Sequence, residues 1–148
     1  MSIIDRLEQT RDETLQYFGL GEDQLARAYG PDKWSVRYIL HHLADAESVM
    51  YERVRRLVSE GGGVLWGFDQ DAWARELDYG TMSLTLSKEI YLACRAGVIY
   101  RAERNYESHG HVQWNHSRTG LRTLKDEFDK VAAHNAKHLD QIRLALRA

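Results

Sequence analysis

The sequence predicts an all-α protein, a four-helix bundle with long connections between its helices. Four long segments carry apolar residues at three- and four-residue steps, the spacing of one buried helix face. The chain has a single proline, Pro31, and glycines mark the breaks between those segments. The apolar–polar alternation that would indicate strands is almost absent. Four amphipathic helices in one chain bury their apolar faces most simply by packing into a bundle.

The first helix is predicted to begin after Ser2, whose hydroxyl can cap a helix, with Asp5 completing a near capping box. Gly19 and Gly21 end this helix. Its apolar stripe consists of Ile4, Leu7, Leu15 and Phe18. A short helical turn is predicted over residues 23–29, before the chain breaks at the only proline.

The second helix is predicted to begin at Ser35, another capping residue, with Trp34 and Ile39 at the spacing of a hydrophobic staple. Its apolar stripe consists of Val36, Ile39, Leu40, Leu43, Met50, Val54 and Leu57. Three consecutive glycines from Gly61 stop the helix. The connection over residues 64–80 is aromatic-rich and long for a link between helices, and such connections are often functional.

The third helix is predicted from about Leu84 to Glu107, and a polar connection follows over residues 108–120. The apolar side of this helix is predicted to carry Leu86, Ile90, Ala93, Gly97, Tyr100 and Ala102. The fourth helix is predicted to begin near Thr119 or Arg122 and to run to the last residue given. Its stripe consists of Leu124, Phe128, Val131, Asn135, His138, Ile142 and Leu146.

Size and charge limit the classes of function. A chain of 148 residues is predicted to form one domain over residues 1–148. Lys and Arg total 20 against 22 Asp and Glu, a formal net charge of -2, so no basic nucleic-acid surface is indicated. Cys94 is the only cysteine, and neither a signal peptide nor a bilayer-length apolar run is apparent. We expect a cytoplasmic protein that binds neither nucleic acid nor membranes.

Four histidines in two predicted helices are the candidate functional residues. Because a helix turns about 100° per residue, the direction of each side chain relative to its apolar stripe can be derived. His42 lies about 100° and His41 about 150° from the centre of the stripe, so His42 borders the buried face and His41 is predicted to point outward. His138 lies about 40° and His134 about 80° from the centre of theirs. His134 and His138 therefore lean to one flank of the core, one turn apart.

Two imidazoles four residues apart on a helix, met by a third from another helix, can hold a divalent metal. Three nitrogen ligands leave positions open for water and substrate, as in catalytic sites. Asp45 or Gln141, each about one turn beyond a candidate ligand, could orient the imidazoles. The alternative is that these histidines are buried and satisfied by ordinary hydrogen bonds. His109, His111 and His116, in the polar connection, are expected to be exposed, although one could line a pocket mouth.

Three stretches of the sequence resemble the DinB-like family, including its YfiT-like branch, whose members are described as metal-dependent hydrolases. The first is Trp34-Ser35-Val36 followed by His42-Leu43-Ala44-Asp45-Ala46-Glu47. The second is His134-Asn135-Ala136-Lys137-His138-Leu139-Asp140-Gln141-Ile142, and a weaker third is Gly120-Leu121-Arg122-Thr123-Leu124. With the four-helix spacing, the resemblance covers most of the chain, and the order and separation of the stretches make it fairly specific.

The resemblance implies a four-helix bundle, often dimeric, with a divalent metal that is commonly nickel or zinc. In the family one histidine of the second helix and two of the last hold this metal, and by position these are His42, His134 and His138. Relatives include transferases and isomerases that use a low-molecular-weight thiol such as bacillithiol, mycothiol or glutathione. The implied partners are therefore a small-molecule substrate, a thiol cosubstrate in the transferase case, and a second copy of the chain.

Three functions are compatible with these residues. The first is a metal-dependent enzyme, either a hydrolase or a thiol-dependent transferase; Arg37, Arg53 or Arg95 could then face an anionic thiol, although surface salt bridges are their more ordinary role. The second is a non-catalytic, stress-associated bundle with a structural or vestigial metal site. The third is a dimeric interaction module with an aromatic face or, alternatively, aromatic residues that cap the core. These aromatic residues are Trp66, Trp73 and Trp114.

Overall fold

The computed structural model describes residues 1–147, so Ala148, the last residue of the predicted domain, lies outside it. Four long helices dominate the described chain: α1 (Ile3–Tyr17), α3 (Val36–Glu60), α5 (Leu84–Asn105) and α6 (Leu124–Arg147). Two short helices, α2 (Glu22–Leu25) and α4 (Gln70–Glu76), lie in the connections. The predicted all-α four-helix bundle is confirmed.

The helices begin where capping side chains satisfy their first backbone N–H groups. The Ser2 hydroxyl accepts a hydrogen bond from the Asp5 N–H at 3.1 Å, and the Asp5 carboxylate accepts one from the Ser2 N–H at 3.0 Å. The Ser35 hydroxyl accepts from the Tyr38 N–H at 3.3 Å and fixes the start of α3. At its far end, α3 stops before Gly61, whose φ of 78° is open to glycine without strain. Both predicted helix starts are therefore confirmed.

The long helices form a closed ring in which α3 packs against α5 and α6, and α1 packs against the same two helices. As a result α1 and α3 lie diagonally across the bundle, and α3 faces two neighbours rather than one. Among residues 1–147, no helix is long and apolar enough to cross a lipid bilayer.

A small sheet, which the sequence analysis missed, covers one end of the bundle. Its strands are β1 (Val64–Leu65), β2 (Gln113–His116) and β3 (Gly120–Thr123), in the order β1-β2-β3. β1 pairs with β2 in parallel, and β2 pairs with β3 in an antiparallel hairpin. Because residues 120–123 are extended in β3, α6 begins at Leu124 rather than near Thr119 or Arg122.

The hydrophobic core divides into two clusters with a polar layer between them. One cluster includes Met50, Val98 and Phe128, and the other includes Leu40, Tyr91 and Ile142. The layer between them carries buried polar side chains from all four long helices. These side chains are Thr10, Thr14, His42, Glu47, Arg95, Asn135 and His138. The bundle therefore buries much of its polar chemistry at its middle.

Two of the arginines expected at surface salt bridges are buried instead. Arg95 is 0% exposed and binds Glu47, whereas Arg53 is 3% exposed and binds Glu127. Only Arg37 matches the surface expectation, because its partner Glu22 is exposed. Neither buried arginine is free to form a surface groove.

The predicted apolar side of the third long helix is wrong at three of its six positions. Leu86 and Tyr100 are 48% and 47% exposed, and Ala93 is exposed as well. The buried side of α5 instead carries Ser87, Tyr91, Arg95, Val98, Ile99, Ala102 and Asn105. Three polar residues on the inner side, Ser87, Arg95 and Asn105, together with apolar residues on the outer side, blur the apolar periodicity on which the prediction depends.

Candidate metal centre

Three histidines from two adjacent helices meet at the middle of the bundle; we call His42, His134 and His138 the histidine triad. α3 contributes His42, and α6 contributes the other two, one helical turn apart. The Nε2 atoms of His42 and His134 are 3.1 Å apart, and those of His134 and His138 are 3.2 Å apart. One ring nitrogen from each residue lies within 4.8 Å of the other two. The structure therefore brings together the three residues singled out by sequence.

These separations match those of nitrogens bound to one metal ion. Nitrogens at about 2.0–2.1 Å from a zinc ion, at tetrahedral to octahedral angles, lie about 2.8–3.4 Å from each other. Both Nε2–Nε2 distances fall in that interval. Two of the three separations within the triad thus match a metal tripod, and the third pair of ring nitrogens lies within 4.8 Å.

Proton counting gives an independent indication that the triad accommodates a cation. The His138 Nδ1 lies 2.7 Å from the Gln141 amide oxygen, which can only accept, so the neutral His138 ring carries its proton on Nδ1. Its Nε2 is then a lone pair directed at His134. The single Nε2 site of His134 cannot complete linear hydrogen bonds to both neighbouring imidazoles. One of the two Nε2–Nε2 contacts is therefore left without a linear hydrogen bond, and a bound cation would satisfy all three nitrogens.

Burial keeps the three imidazoles neutral. Removal from water, together with the nearby His138, lowers the pKa of His42 to about 3. Burial, together with His138 and His42, lowers the pKa of His134 to about 2. Burial also lowers the pKa of His138. A neutral imidazole offers its lone pair to a metal, so no proton has to leave at neutral pH.

Aromatic rings and one amide surround the triad. The rings of Trp34 and Phe68 lie 5.0 Å and 6.3 Å from that of His42. Gln141 orients His138, as predicted. The Asp45 carboxylate instead accepts a hydrogen bond from the Tyr79 hydroxyl at 2.5 Å and forms no hydrogen bond with the triad. The His42 Nδ1 is buried without a hydrogen-bond partner.

His41 is buried, which corrects the prediction that it points outward. It is 0% exposed, its Nδ1 lies 2.7 Å from the Ser87 hydroxyl, and its ring packs on Tyr79 at 5.2 Å. The angular prediction depends on a single buried stripe on this helix. Because α3 packs against both α5 and α6, its buried face is wider than one stripe. His41 faces α5, away from the histidine triad.

Two cavities meet at His134. One, of about 380 Å³, is lined by residues including Trp34, Lys137 and His138. The other, of about 190 Å³, is lined by residues including His116 and Lys130. Gln70 and His134 line both cavities. Sequence reasoning missed Gln70 and Lys130, although Lys130 lies four residues before His134 and so on the same side of the helix.

The other sequence-predicted residues are dispersed. His111 is exposed and His109 half-buried, whereas His116 is buried and lines the smaller cavity. Trp66 is 77% exposed, and Trp73 packs on Phe68 at 4.5 Å. Trp114 is 1% exposed and donates its indole N–H to the Thr123 carbonyl, so it is a core residue and not part of an outer face.

Known proteins are similar to this chain in sequence. The Oceanobacillus iheyensis protein named "Putative metal-dependent hydrolase OB0413" is 24% identical over 127 residues, which are 86% of this chain and 73% of that protein. The Bacillus subtilis protein named "Putative metal-dependent hydrolase YfiT" is 31% identical over 74 residues, 47% of this chain and 42% of that protein.

Solved structures and family models agree on the fold. The structure of YfiT from Bacillus subtilis, described as "a probable metal-dependent hydrolase with an unusual four-helix bundle topology", matches with a TM-score of 0.88 at 22% identity. The match covers 98% of this chain and 85% of that one. The model of the DinB superfamily matches residues 6–142, nearly the whole sequence. The chain therefore belongs to the DinB superfamily.

Proposed function

We propose that this protein is a divalent-metal-dependent enzyme whose metal is held by His42, His134 and His138. The observation that carries the proposal is the convergence of three neutral imidazoles, two buried and one half-buried, whose Nε2–Nε2 contacts cannot all be linear hydrogen bonds. The donor set of three imidazoles suits zinc or nickel. Relatives named as metal-dependent hydrolases support hydrolysis of a small molecule as the reaction class.

The chain's own residues prepare the site for this chemistry. When bound, a divalent metal supplies Lewis acidity to an oxygen or sulfur atom of a substrate. Gln141 fixes the tautomer of His138, so that its Nε2 faces the triad. Trp34 and Phe68 shield one side of His42 from water, while the two cavities leave His134 accessible to small molecules.

Thiol-dependent group transfer is a second candidate, favoured by one observation. Hydrolysis needs room for one organic substrate, whereas transfer from a low-molecular-weight thiol needs room for two. Two separate cavities share His134 and Gln70, so two molecules could reach the triad from different directions. A homodimer belongs to this proposal too, and the exposed Trp66 is its candidate contact residue.

Elemental analysis tests the metal site directly. We expect about one divalent ion per chain in the purified protein, and none in His138→Ala, because two imidazoles and an open position hold metal far more weakly than three. His111→Ala, at an exposed histidine outside the triad, is the matched control and should keep its metal. Equal metal content in wild type and His138→Ala would refute the proposal.

A substrate screen separates the two reaction classes. The metal-loaded protein is assayed with ester and amide substrates, and with electrophilic acceptors in the presence of a panel of thiols. Turnover without thiol supports hydrolysis, and turnover that requires a thiol supports transfer. Activity of either kind should disappear in His138→Ala.

A further inference from the structure

The smaller cavity beside His134 is cationic. Its lining contains three basic side chains, Arg53, Arg118 and Lys130, and no aspartate or glutamate. The whole chain, in contrast, has a formal net charge of -2. The positive charge of this lining is therefore a local feature, opposite in sign to the net charge of the chain.

Arg53 does not account for this charge, because it is already satisfied. Its Nη1 donates to the Glu127 carboxylate at 3.2 Å, and its Nη2 donates to the Trp66 carbonyl at 2.8 Å. Both charged partners are buried, with side-chain exposures of 4% and 1%. This ion pair is structural, which leaves the other two cations of the lining.

Lys130 and Arg118 form no ion pair within residues 1–147. The Arg118 guanidinium donates only to a backbone carbonyl, that of Phe68, at 3.3 Å. Lys130 is half-buried, and burial, with Arg53 and Arg122 nearby, lowers its pKa despite the opposing charge of Glu127. A half-buried ammonium without an anionic partner is costly, and an anion entering the cavity would remove that cost.

The β2–β3 hairpin adds a neutral donor to the same cavity. The His116 Nδ1 accepts a hydrogen bond from the Arg118 backbone N–H at 3.0 Å, so the neutral ring carries its proton on Nε2. Thr119 contributes a hydroxyl to the lining. Lys130 lies one helical turn from His134, a Cβ separation of about 5–6 Å. The cavity therefore joins an anion-binding wall to one edge of the histidine triad.

We propose that Lys130 and Arg118 form a subsite for the oxyanion of a small anionic substrate, a carboxylate or a phosphate group. An ammonium and a guanidinium together suit either oxyanion. The proposal rests on the proposed function in one respect: the rest of the substrate would extend toward the triad, one turn away. Binding of the oxyanion itself needs only the cavity.

Titration of the metal-free, isotope-labelled protein tests the subsite without relying on the metal. Inorganic phosphate and malonate are added separately at matched ionic strength, with chloride as reference, and amide shifts of residues 116–119 and 130 are followed by NMR. We expect saturable binding of at least one of the two, and whichever binds more tightly identifies the oxyanion class. Lys130→Gln and Arg118→Gln should each weaken binding about tenfold or more.

Lys137→Gln is the matched control, because it removes the same charge from the same helix but lines the other cavity. It should change the affinity less than about twofold, and Lys130→Arg, which keeps the charge, should retain most of it. No saturable binding, or equal weakening by Lys130→Gln and Lys137→Gln, overturns the proposal. Arg118 is exposed, so its variant will fold even if Lys130→Gln does not.

Metal content separates this inference from the proposed function. Lys130→Gln should bind as much metal as the wild type, because Lys130 is not a ligand. If the wild type holds no metal but binds the anion with the expected variant pattern, the proposed function fails and the subsite stands. If metal binds but the variant pattern is absent, the subsite fails and the metal site stands.

Discussion

The polar layer of the bundle contains two buried clusters, and they differ in how completely their polar atoms are hydrogen-bonded. In the first, which we call the Arg95 network, the guanidinium donates to Glu47 at 2.6 Å and 2.9 Å, and to Leu7, Thr10 and Asn135 at 2.7–2.8 Å. All five guanidinium N–H groups therefore have an acceptor. In the histidine triad, by contrast, the two Nε2–Nε2 contacts cannot both be linear hydrogen bonds, and the His42 Nδ1 has no partner.

This difference separates a structural cluster from a binding cluster. The Arg95 network ties α1, α3, α5 and α6 together, and it is complete without any further group. The triad is incomplete, and it uses residues immediately beside network residues: Asn135 follows His134 in sequence. The complete cluster thus fixes the rotation of α6 and holds the incomplete one in place. A saturated polar cluster indicates architecture, and an unsaturated one indicates a ligand.

Removing Arg95 should have the largest effect on folding. Arg95→Met leaves the Glu47 carboxylate buried without its counterion, which is expected to lower the free energy of unfolding by about 3–5 kcal/mol. Urea denaturation of the metal-free protein measures it. Arg95→Met combined with Glu47→Leu should recover much of the loss, since removing both partners leaves no buried charge.

The triad should respond in the opposite way. His42→Leu replaces a side chain with an unsatisfied nitrogen by an apolar one, so the metal-free protein should lose less than about 1 kcal/mol or gain stability. A loss as large as that of Arg95→Met would contradict the distinction between the two clusters. Metal binding should disappear in His42→Leu and persist in any Arg95 variant that folds.

The sequence was sufficient for the fold class and for the residues of the triad. Ser2, Ser35 and the glycines from Gly61 set helix ends through local chemistry, and local chemistry is readable without a partner. The triad was found because the spacing of His134 and His138 is fixed by the helix alone. The pairing of that helix with His42 came from the family resemblance, because no local rule states which helices become neighbours.

What the sequence did not reveal depends on tertiary contacts. A single apolar stripe on α3 predicts an exposed His41, whereas two neighbouring helices bury two sides of α3. Apolar periodicity does not predict the inner face of α5, because Arg95 and Tyr91 are buried there by partners on three other helices. The three short strands pair residues as far apart as Val64 and Asn115, and this pairing has no local signature.

Acid should destabilise the metal-free protein through the triad. Burial lowers the pKa of His42 from 6.5 to about 3, so below pH 6.5 the unfolded chain takes up a proton that the folded chain does not. Stability is therefore lost as pH falls through that window, by about 2 kcal/mol per such histidine at pH 5 relative to pH 7. Chemical denaturation across this pH range measures the slope, and bound metal should reduce it.

Variants assign this slope to the triad. His134→Leu removes one buried imidazole, so its stability should fall less steeply between pH 6.5 and pH 5 than that of the wild type. His111→Gln, at an exposed position, should follow the wild type. If both variants share the wild-type slope, acid acts elsewhere in the fold and the triad is not the source.

The smallest effect on metal binding should come from the one hydrogen bond that the triad forms with a residue outside it. Gln141→Leu removes the acceptor of the His138 Nδ1–H, and the imidazole then loses both its fixed tautomer and its orientation. We expect metal affinity to fall about 10- to 100-fold with one metal still bound per chain, as measured by competition with a chelating dye.

Gln141→Glu sharpens the same test, because a carboxylate also accepts from Nδ1–H and makes the imidazole a stronger ligand. It should bind metal at least as tightly as the wild type. Because the glutamate side chain is nearly the same size as that of glutamine, the packing around His138 stays the same. Equal affinities in Gln141→Leu and Gln141→Glu would mean that His138 is oriented by packing alone. Metal binding by the triad would then depend on no polar contact beyond its own members, in contrast to the Arg95 network.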